Sequence, residues 1–232
     1  MKVAILSDIH ANLEALESVS KVIAAEGVDR IVCLGDVVGY GGDPEACVAW
    51  TKEHCDVVVL GNHDLATSSN DPRGLPPDAG VAVRKHAEWL SVEDVRWLAT
   101  LPSTAVEADL TLVHATPENP LKWSRLSTIR DSKRQFGAFE TPICFVGHSH
   151  RPYVESDSMG VFSVRRGARF LINVGSVGQP RDGDPRACFG IFHTEKFSYR
   201  LVRVPYDIRS AQARIIGRGL PETLATRLGA GA

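Results

Sequence analysis

Ala4-Ile5-Leu6-Ser7-Asp8-Ile9-His10 decides how the rest of the chain is read. A short apolar run with a β-branched centre ends on a carboxylate and an imidazole two residues apart. The pattern recurs in order along the chain. Ile31-Val32-Cys33-Leu34 runs into Gly35-Asp36, and Val57-Val58-Val59-Leu60 into Gly61-Asn62-His63-Asp64. Leu112-Val113 precedes His114, and Ile143-Cys144-Phe145-Val146 precedes Gly147-His148-Ser149-His150. Runs this short, rich in Val and Ile and bounded by Gly, predict buried strands. Ligands of open α/β sheets bind beyond the carboxyl ends of the strands. Five such strands are therefore expected to deliver Asp, His and Asn side chains to one sheet edge.

Between these runs the apolar spacing is helical. Ala15, Leu16, Val19, Val22 and Ile23 repeat at three to four residues, with Gly27 at the expected stop. Asp43-Pro44 predicts a second helix with Asp43 as N-cap and Pro44 in the first turn. Strand and helix alternate over residues 1–60, which favours parallel strands with crossover helices. Residues 65–80, with their Pro, Ser and Gly, read as a loop bordering the metal-ligand edge. Residues 81–99 read as two helices divided near Ser91, whose Asp94 partner makes an N-cap. A hairpin is expected around Ala108-Asp109, then an irregular, partly helical stretch over 123–138. Strands follow near 142–146, 152–156, 159–164, 169–173, 188–193 and 197–203, and the short links between the later ones imply antiparallel pairing. A helical tail runs from Asp207 to Leu228, with Pro221 at a helix start. The fold class is α/β: two packed sheets flanked by helices, as a single domain over 1–232 with 206–232 as a C-terminal helical tail.

Composition narrows the function classes. The chain has 232 residues, 44% of them hydrophobic and 23% charged, with a net charge of −2. No long basic stripe marks a nucleic-acid partner; Arg165-Arg166 is only a pair. No apolar run reaches the roughly 18 residues of a membrane span. The few apolar residues after Lys2 are too short for a signal peptide, so a cytoplasmic protein is expected. None of the five cysteines has Cys-x-x-Cys spacing, which favours reduced, buried thiols over a zinc knuckle or redox pair. No pattern specifies an oligomeric state.

The clustered residues suit metal chemistry. A carboxylate has two oxygens to share between cations, which makes Asp36 the natural bridge. One metal is expected to take Asp8, His10, Asp36 and His150; the other, Asp36, Asn62, His114 and His148. On an extended strand end, Asp8 and His10 would face one side, as would His148 and His150. Nitrogen and oxygen donors without thiolate suit two divalent transition-metal ions, Mn, Fe, Zn, Ni or Co. Two dications against two carboxylates, about +4 against −2, favour a bridging hydroxide and an anionic substrate such as a phosphate ester. His63 is left over as a candidate to protonate a leaving-group oxygen or stabilise a pentacovalent state. Asp64 is the candidate to orient its ring. His54, His86 and His193 are assigned no chemistry.

Asp-x-His, Gly-Asp, Gly-Asn-His-Asp, a later His and Gly-His-x-His, in this order over residues 3 to about 180, resemble the calcineurin-like metallophosphoesterase superfamily. The resemblance implies a four-layer α/β/β/α sandwich and in-line attack on phosphorus by a metal-bound hydroxide. It also implies that His63 matches the catalytic histidine. Protein Ser/Thr phosphatases and symmetrical dinucleoside tetraphosphatases of the superfamily carry an Arg soon after the second motif. Here Gly35-Asp36-Val37-Val38-Gly39-Tyr40 has none, and Asp64 stands where those phosphatases have Glu. The chain is more similar to a compact prokaryotic branch labelled phosphodiesterase-like. That branch has a segment like Asn173-Val174-Gly175-Ser176-Val177-Gly178-Gln179-Pro180-Arg181, with Pro where this chain has Val174. Arg181 is a candidate phosphate contact, with a surface salt bridge as the alternative. The implied partner is a small phosphodiester or phosphomonoester. Alternatives are a nucleotide or dinucleoside polyphosphate hydrolase, a protein phosphatase, a nuclease for short oligonucleotides, or a metal-binding protein-interaction scaffold on the same fold, as in a retromer subunit. The 65–80, Thr116–Pro120 and Gly178–Asp184 segments are expected to shape the pocket.

Overall fold

The structure, a computed structural model, describes residues 1–161 and 163–232. Strand β1 (Lys2–Leu6) shows how the layers arise. Its alternate residues point opposite ways: Ala4 and Leu6 join the helix-facing core, Val3 and Ile5 the core between two sheets. Helix α1 (Leu13–Glu26) buries Ala15, Leu16, Val19 and Ile23 on that first core. It starts where Asn12 Oδ1 accepts from the Ala15 amide and stops at Gly27, which takes the left-handed conformation with φ 59°. β2 (Arg30–Cys33), α2 (Pro44–His54) and β3 (Val57–Val58) continue the parallel crossover pattern. Pro44 opens α2 as expected, but the Asp43 side chain makes no capping bond; it lies 3.1 Å from Arg214 Nε instead.

The first sheet is completed from the far end of the chain. β9 (Ala187–His193) pairs antiparallel with β1, and β10 (Ser198–Val204) with β9, giving the order β10-β9-β1-β2-β3. The second sheet has the order β4-β5-β6-β8-β7, from β4 (Thr104–Glu107), β5 (Leu110–Val113), β6 (Ile143–Val146), β7 (Tyr153–Ser156) and β8 (Phe170–Asn173). Its strands β5, β6 and β8 run parallel, with antiparallel β4 and β7 at the edges. β6 alternates as β1 does: Ile143 and Phe145 enter the inter-sheet core, Cys144 and Val146 the outer one. Short α6 (Ile129–Gln135), with Phe136 and Phe139 just after it, covers that outer face. The result is an α/β/β/α sandwich.

Several sequence expectations need correction. Residues 65–80 are not one loop: α3 (Asn62–Ser69) and α4 (Pro77–Trp89) take up most of them. The Ser, Thr and Asn content hid α3, which is held by its N-terminal bonds rather than by propensity. α5 (Val92–Thr100) begins at Ser91 as expected, with the Asp94 amide donating to Ser91 Oγ. No described residue of 159–164 lies in a strand, and Phe162 falls outside the described residues. Val161 and Val164 pack on the inter-sheet core, while the ladder closes below them where the Asp157 amide donates to the Arg169 carbonyl at 3.0 Å. Only 129–135 of the 123–138 stretch is α-helical. The tail forms α7 (Ile208–Gly217) and α8 (Glu222–Ala230), which pack with Tyr40 and α4 residues Ala79 and Ala82. Cys33, Cys47, Cys144 and Cys188 are buried free thiols, and Cys55 is half-buried and free. Among the described residues no helix is long and apolar enough to cross a membrane.

Candidate metal centre

The ends of β1, β2 and β3 in one sheet meet the ends of β5 and β6 in the other. The ligand edge therefore belongs to two sheets, not one. The Asp8 amide donates to the Gly35 carbonyl at 3.0 Å and the His10 amide to the Asp36 carbonyl at 2.9 Å, which ties the first two turns together. The His148 amide donates to Asp8 Oδ2 at 3.0 Å and ties in the second sheet. Asp8, His10, Asp36, His148 and His150 are all left-handed, with φ between 51° and 62°. The pairs two residues apart thus converge through strained turns, not through an extended strand end as the spacing suggested. Non-glycine residues rarely occupy this region, and clusters of them mark functional sites.

Four imidazoles are oriented by backbone carbonyls, which can only accept. Nδ1–H of His10 donates to Val38 O at 2.9 Å, that of His114 to Leu34 O at 2.8 Å, and that of His150 to Gln179 O at 2.5 Å. Nε2 of each is then left bare for a ligand role. His148 is the reverse case: its Nε2 is engaged by Trp123 O at 2.9 Å, which leaves Nδ1. The bare Nε2 atoms of His10 and His150 lie only 3.1 Å apart, and His150 Nε2 is 3.1 Å from Asp8 Oδ1. Asp8 Oδ1 is buried with no hydrogen-bond partner. Two lone pairs and a lone carboxylate oxygen facing one another repel unless a cation lies among them.

Asp36 divides its two oxygens. Oδ1 accepts from the His63 amide at 2.8 Å. Oδ2 lies 3.6 Å from His10 Nε2 and 3.2 Å from His114 Nε2, between the two groups of imidazoles. Asn62 Oδ1 is 3.2 Å from His114 Nε2. Three trios have ligand atoms within 4.8 Å of one another: Asp8, His10 and His150; Asp36, His114 and His148; and His10, Asp36 and His63. The donor set fits hard or borderline divalent ions.

The electrostatics agree. Burial would raise the carboxyl of Asp8, but the His150 and His10 rings hold it well below the usual range. Burial disfavours charge on His114, yet Asp36 outweighs it and lifts the ring to about 9. Burial, backed in each case by a neighbouring cationic group, pushes His148 and His150 down to about 4. The pull that draws a proton to His114 is the pull that would hold a cation there.

His63 is buried, its Nδ1 without a partner, so Nε2 is the nitrogen that turns to the open cleft. Burial first, opposed by Asp36, pushes its pKa well down. Its ring packs on Tyr40 at 4.5 Å and edge-on to His10 at 4.8 Å. Asp64 does not orient it. The Asp64 carboxylate accepts from the amides of Asp36 (2.7 Å), Val37 (2.9 Å), Val38 (3.2 Å) and Gly61 (3.1 Å). It fastens the β2 turn to the start of α3, one step removed from the expected role.

Arg181 borders the same cleft, of ≈ 700 Å³, and its guanidinium donates to Gln179 Oε1 at 2.7 Å. Its side-chain partner is thus a neutral amide oxygen. Leu65 to Pro76 contribute to the cleft wall as expected, and Trp123 and Arg125 line it too, whereas Thr116–Pro120 do not. Sequence reasoning passed over these two, Tyr40 and His86. His86 is fully buried and clamps the Tyr40 turn: the Gly39 amide donates to Nδ1 at 3.0 Å and Nε2 donates to Gly41 O at 2.9 Å. The repeated Gly at 35, 39, 41 and 42 was the available signal that this turn is crowded.

Residues 1–196 match the calcineurin-like phosphoesterase superfamily domain. The chain belongs to the calcineurin-like phosphoesterase superfamily. An uncharacterized protein of Methanocaldococcus jannaschii is 36% identical to this phosphoesterase over 97% of the chain and 96% of the relative. Phosphodiesterase YfcE of Escherichia coli is 27% identical over 85% of the chain and 90% of its own length. The crystal structure of a metallophosphoesterase from Sphaerobacter thermophilus superposes with a TM-score of 0.89 at 38% identity, covering 100% of this chain and 99% of that one. This phosphoesterase is thus a hydrolase of phosphoester bonds from a metal-dependent family, with His and Asp groups that could bind metal.

Proposed function

We propose that the chain is a dinuclear-metal phosphoesterase that hydrolyses a small phosphodiester or phosphomonoester, and that residues 1–232 act as one domain. The observation that carries this is the arrangement around Asp36 Oδ2, flanked at 3.6 and 3.2 Å by the bare Nε2 atoms of His10 and His114. Asp8, His10, Asp36 and His150 would hold one divalent ion, and Asp36, Asn62, His114 and His148 the other. Bound there, the pair supplies Lewis acidity that activates water for in-line attack and neutralises a phosphate. Mn, Fe, Zn, Ni and Co all suit the donors.

The side chains do the rest. His63 Nε2, facing the cleft, is positioned to protonate the leaving-group oxygen or hydrogen-bond the pentacovalent phosphorus. Tyr40 sets its ring plane by packing on one face. Arg181, held by Gln179 and lying 5.5 Å over the Tyr40 ring, offers a guanidinium to a phosphate oxygen. Loss of the catalytic histidine position would have favoured a protein-binding scaffold; His63 is present.

The test is His63→Ala assayed on bis(p-nitrophenyl) phosphate and p-nitrophenyl phosphate with Mn or Zn. Turnover is expected to fall by about 10²–10⁴-fold while metal content stays that of the parent. Full activity in the variant would remove His63 from the chemistry, and no metal-dependent turnover in the parent would remove the esterase reading.

A further inference from the structure

The backbone after β2 is held in two halves by two different side chains. The Asp64 carboxylate takes the amides of Asp36, Val37 and Val38, the half that carries a candidate ligand and turns the Val38 carbonyl to His10. The next three residues, Gly39-Tyr40-Gly41, are clamped from α4 by His86. Nδ1 of that ring accepts from the Gly39 amide at 3.0 Å, and Nε2 donates to the Gly41 carbonyl at 2.9 Å. A neutral imidazole has one acceptor and one donor, and both are used. Gly39 and Tyr40 are left-handed, with φ of 91° and 61°. A buried tyrosine keeps such a conformation only where its surroundings impose it.

His63 lies directly against this turn. Its Nδ1 is buried without a hydrogen-bond partner, so no bond on that nitrogen sets the rotation of the ring. Contacts set it instead. Tyr40 packs at 4.5 Å and His10 edge-on at 4.8 Å. The Gly39 backbone is so close that a Cβ there would overlap His63 Nδ1. Two of these three neighbours belong to the segment that His86 clamps. His86 itself is fully buried and lines no part of the cleft, so it can act on the chemistry only through its neighbours.

We infer that His86 is a positioning residue for His63, fixing the rotation of its ring by clamping the Gly39-Tyr40-Gly41 turn and so aiming Nε2 into the cleft. The two clamps divide the work. Asp64 keeps the metal side of the turn, so losing His86 displaces the His63 ring while the ions stay. Turnover then falls, because a misplacement of about 1 Å at a reacting group can cost on the order of 10²-fold. His86 matters to turnover only if His63 acts in the proposed reaction; its hold on the ring does not depend on that.

His86→Leu removes both bonds, whereas His86→Gln keeps an acceptor and a donor on one carbon, as the imidazole does. Crystal structures of both variants read the ring, and kcat for bis(p-nitrophenyl) phosphate with Mn reads the consequence. The His63 ring is expected to leave Tyr40 in His86→Leu and to keep its place in His86→Gln, with the metal content of the parent in both. In His86→Leu kcat is expected to fall by about 10²-fold, and in His86→Gln to recover most of the parent value. Introduced into His63→Ala, His86→Leu is expected to change kcat by no more than about twofold, because the two residues act as one unit. A ring that stays in place in His86→Leu, or an equal fall in kcat in both backgrounds, would overturn the inference. An unmoved ring beside an inactive His63→Ala sinks the clamp alone. A displaced ring with kcat unchanged, beside a fully active His63→Ala, upholds the clamp and sinks the acid role of His63. Should leucine prevent folding, His86→Ser, which leaves room for water on both backbone groups, carries the same readouts.

Discussion

Single side chains in this protein act mostly through backbone groups. The Asp64 carboxylate accepts four amide bonds from two turns. Asp64→Asn replaces acceptor oxygen with a donor facing those amides. It is expected to cost about 2–4 kcal/mol in urea unfolding and to weaken metal binding with it. Unchanged stability would mean the four bonds contribute nothing. His86 shows the same logic in its pH response. Burial lowers its pKa from 6.5 to about 3, so the folded state holds it neutral while the unfolded chain protonates it below 6.5. Its contribution is complete above pH 6.5 and declines as pH falls from 6.5 toward 3, by about 2 kcal/mol at pH 5. Parent and His86→Gln, unfolded in urea at pH 7.5 and pH 5, are expected to differ in pH slope by about that amount. Parallel slopes would refute the assignment.

At the scale of elements, the site exists because two sheets end at one place. Gly147, just past β6, sits against Ser7 and Asp8 beyond β1, and a Cβ there would overlap Ser7 Oγ. Gly147→Ala is therefore expected to lower Tm by on the order of 5–10 °C, and to loosen the Asp8–His148 contact. A variant as stable as the parent would show that the sheets can separate there at no cost. The strands and most helices were legible because short all-apolar runs and an apolar period of about 3.6 survive in them, as in Val3–Leu6 and Ala15–Ile23. α3 was not, because Asn62, Ser68 and Ser69 are poor helix formers and its register is set by Gly61 and Asp64. The described residues of 159–164 form no strand despite Val161 and Val164, since pairing is decided between elements rather than within one. The candidate ligand residues were legible as residue types at strand ends. Their convergence through left-handed turns was not, since Asp8, His10 and His150 carry no local mark of positive φ. Nor could spacing show that Asp64 serves the backbone, or that Trp123 and Arg125 come to the cleft from a loop sixty residues after His63.

For the molecule as a whole, candidate ligands drawn from both sheets would make metal binding a cross-brace. Ions that bind only the folded chain stabilise it, by about 2.7 kcal/mol per site at a hundredfold excess over Kd. Removing them with EDTA is expected to lower Tm by on the order of 5–10 °C per site, reversed by added Mn or Zn. A Tm indifferent to chelation would separate the ligand cluster from the fold's stability. The dinuclear reading requires Asp36 to join two ions through one carboxylate, and elemental analysis of the parent and of Asp36→Asn, both purified without chelator, checks this. The expected result is close to two transition-metal ions per parent chain and loss of both together in the variant. One ion or none in the parent, or the loss of only one in Asp36→Asn, would contradict it.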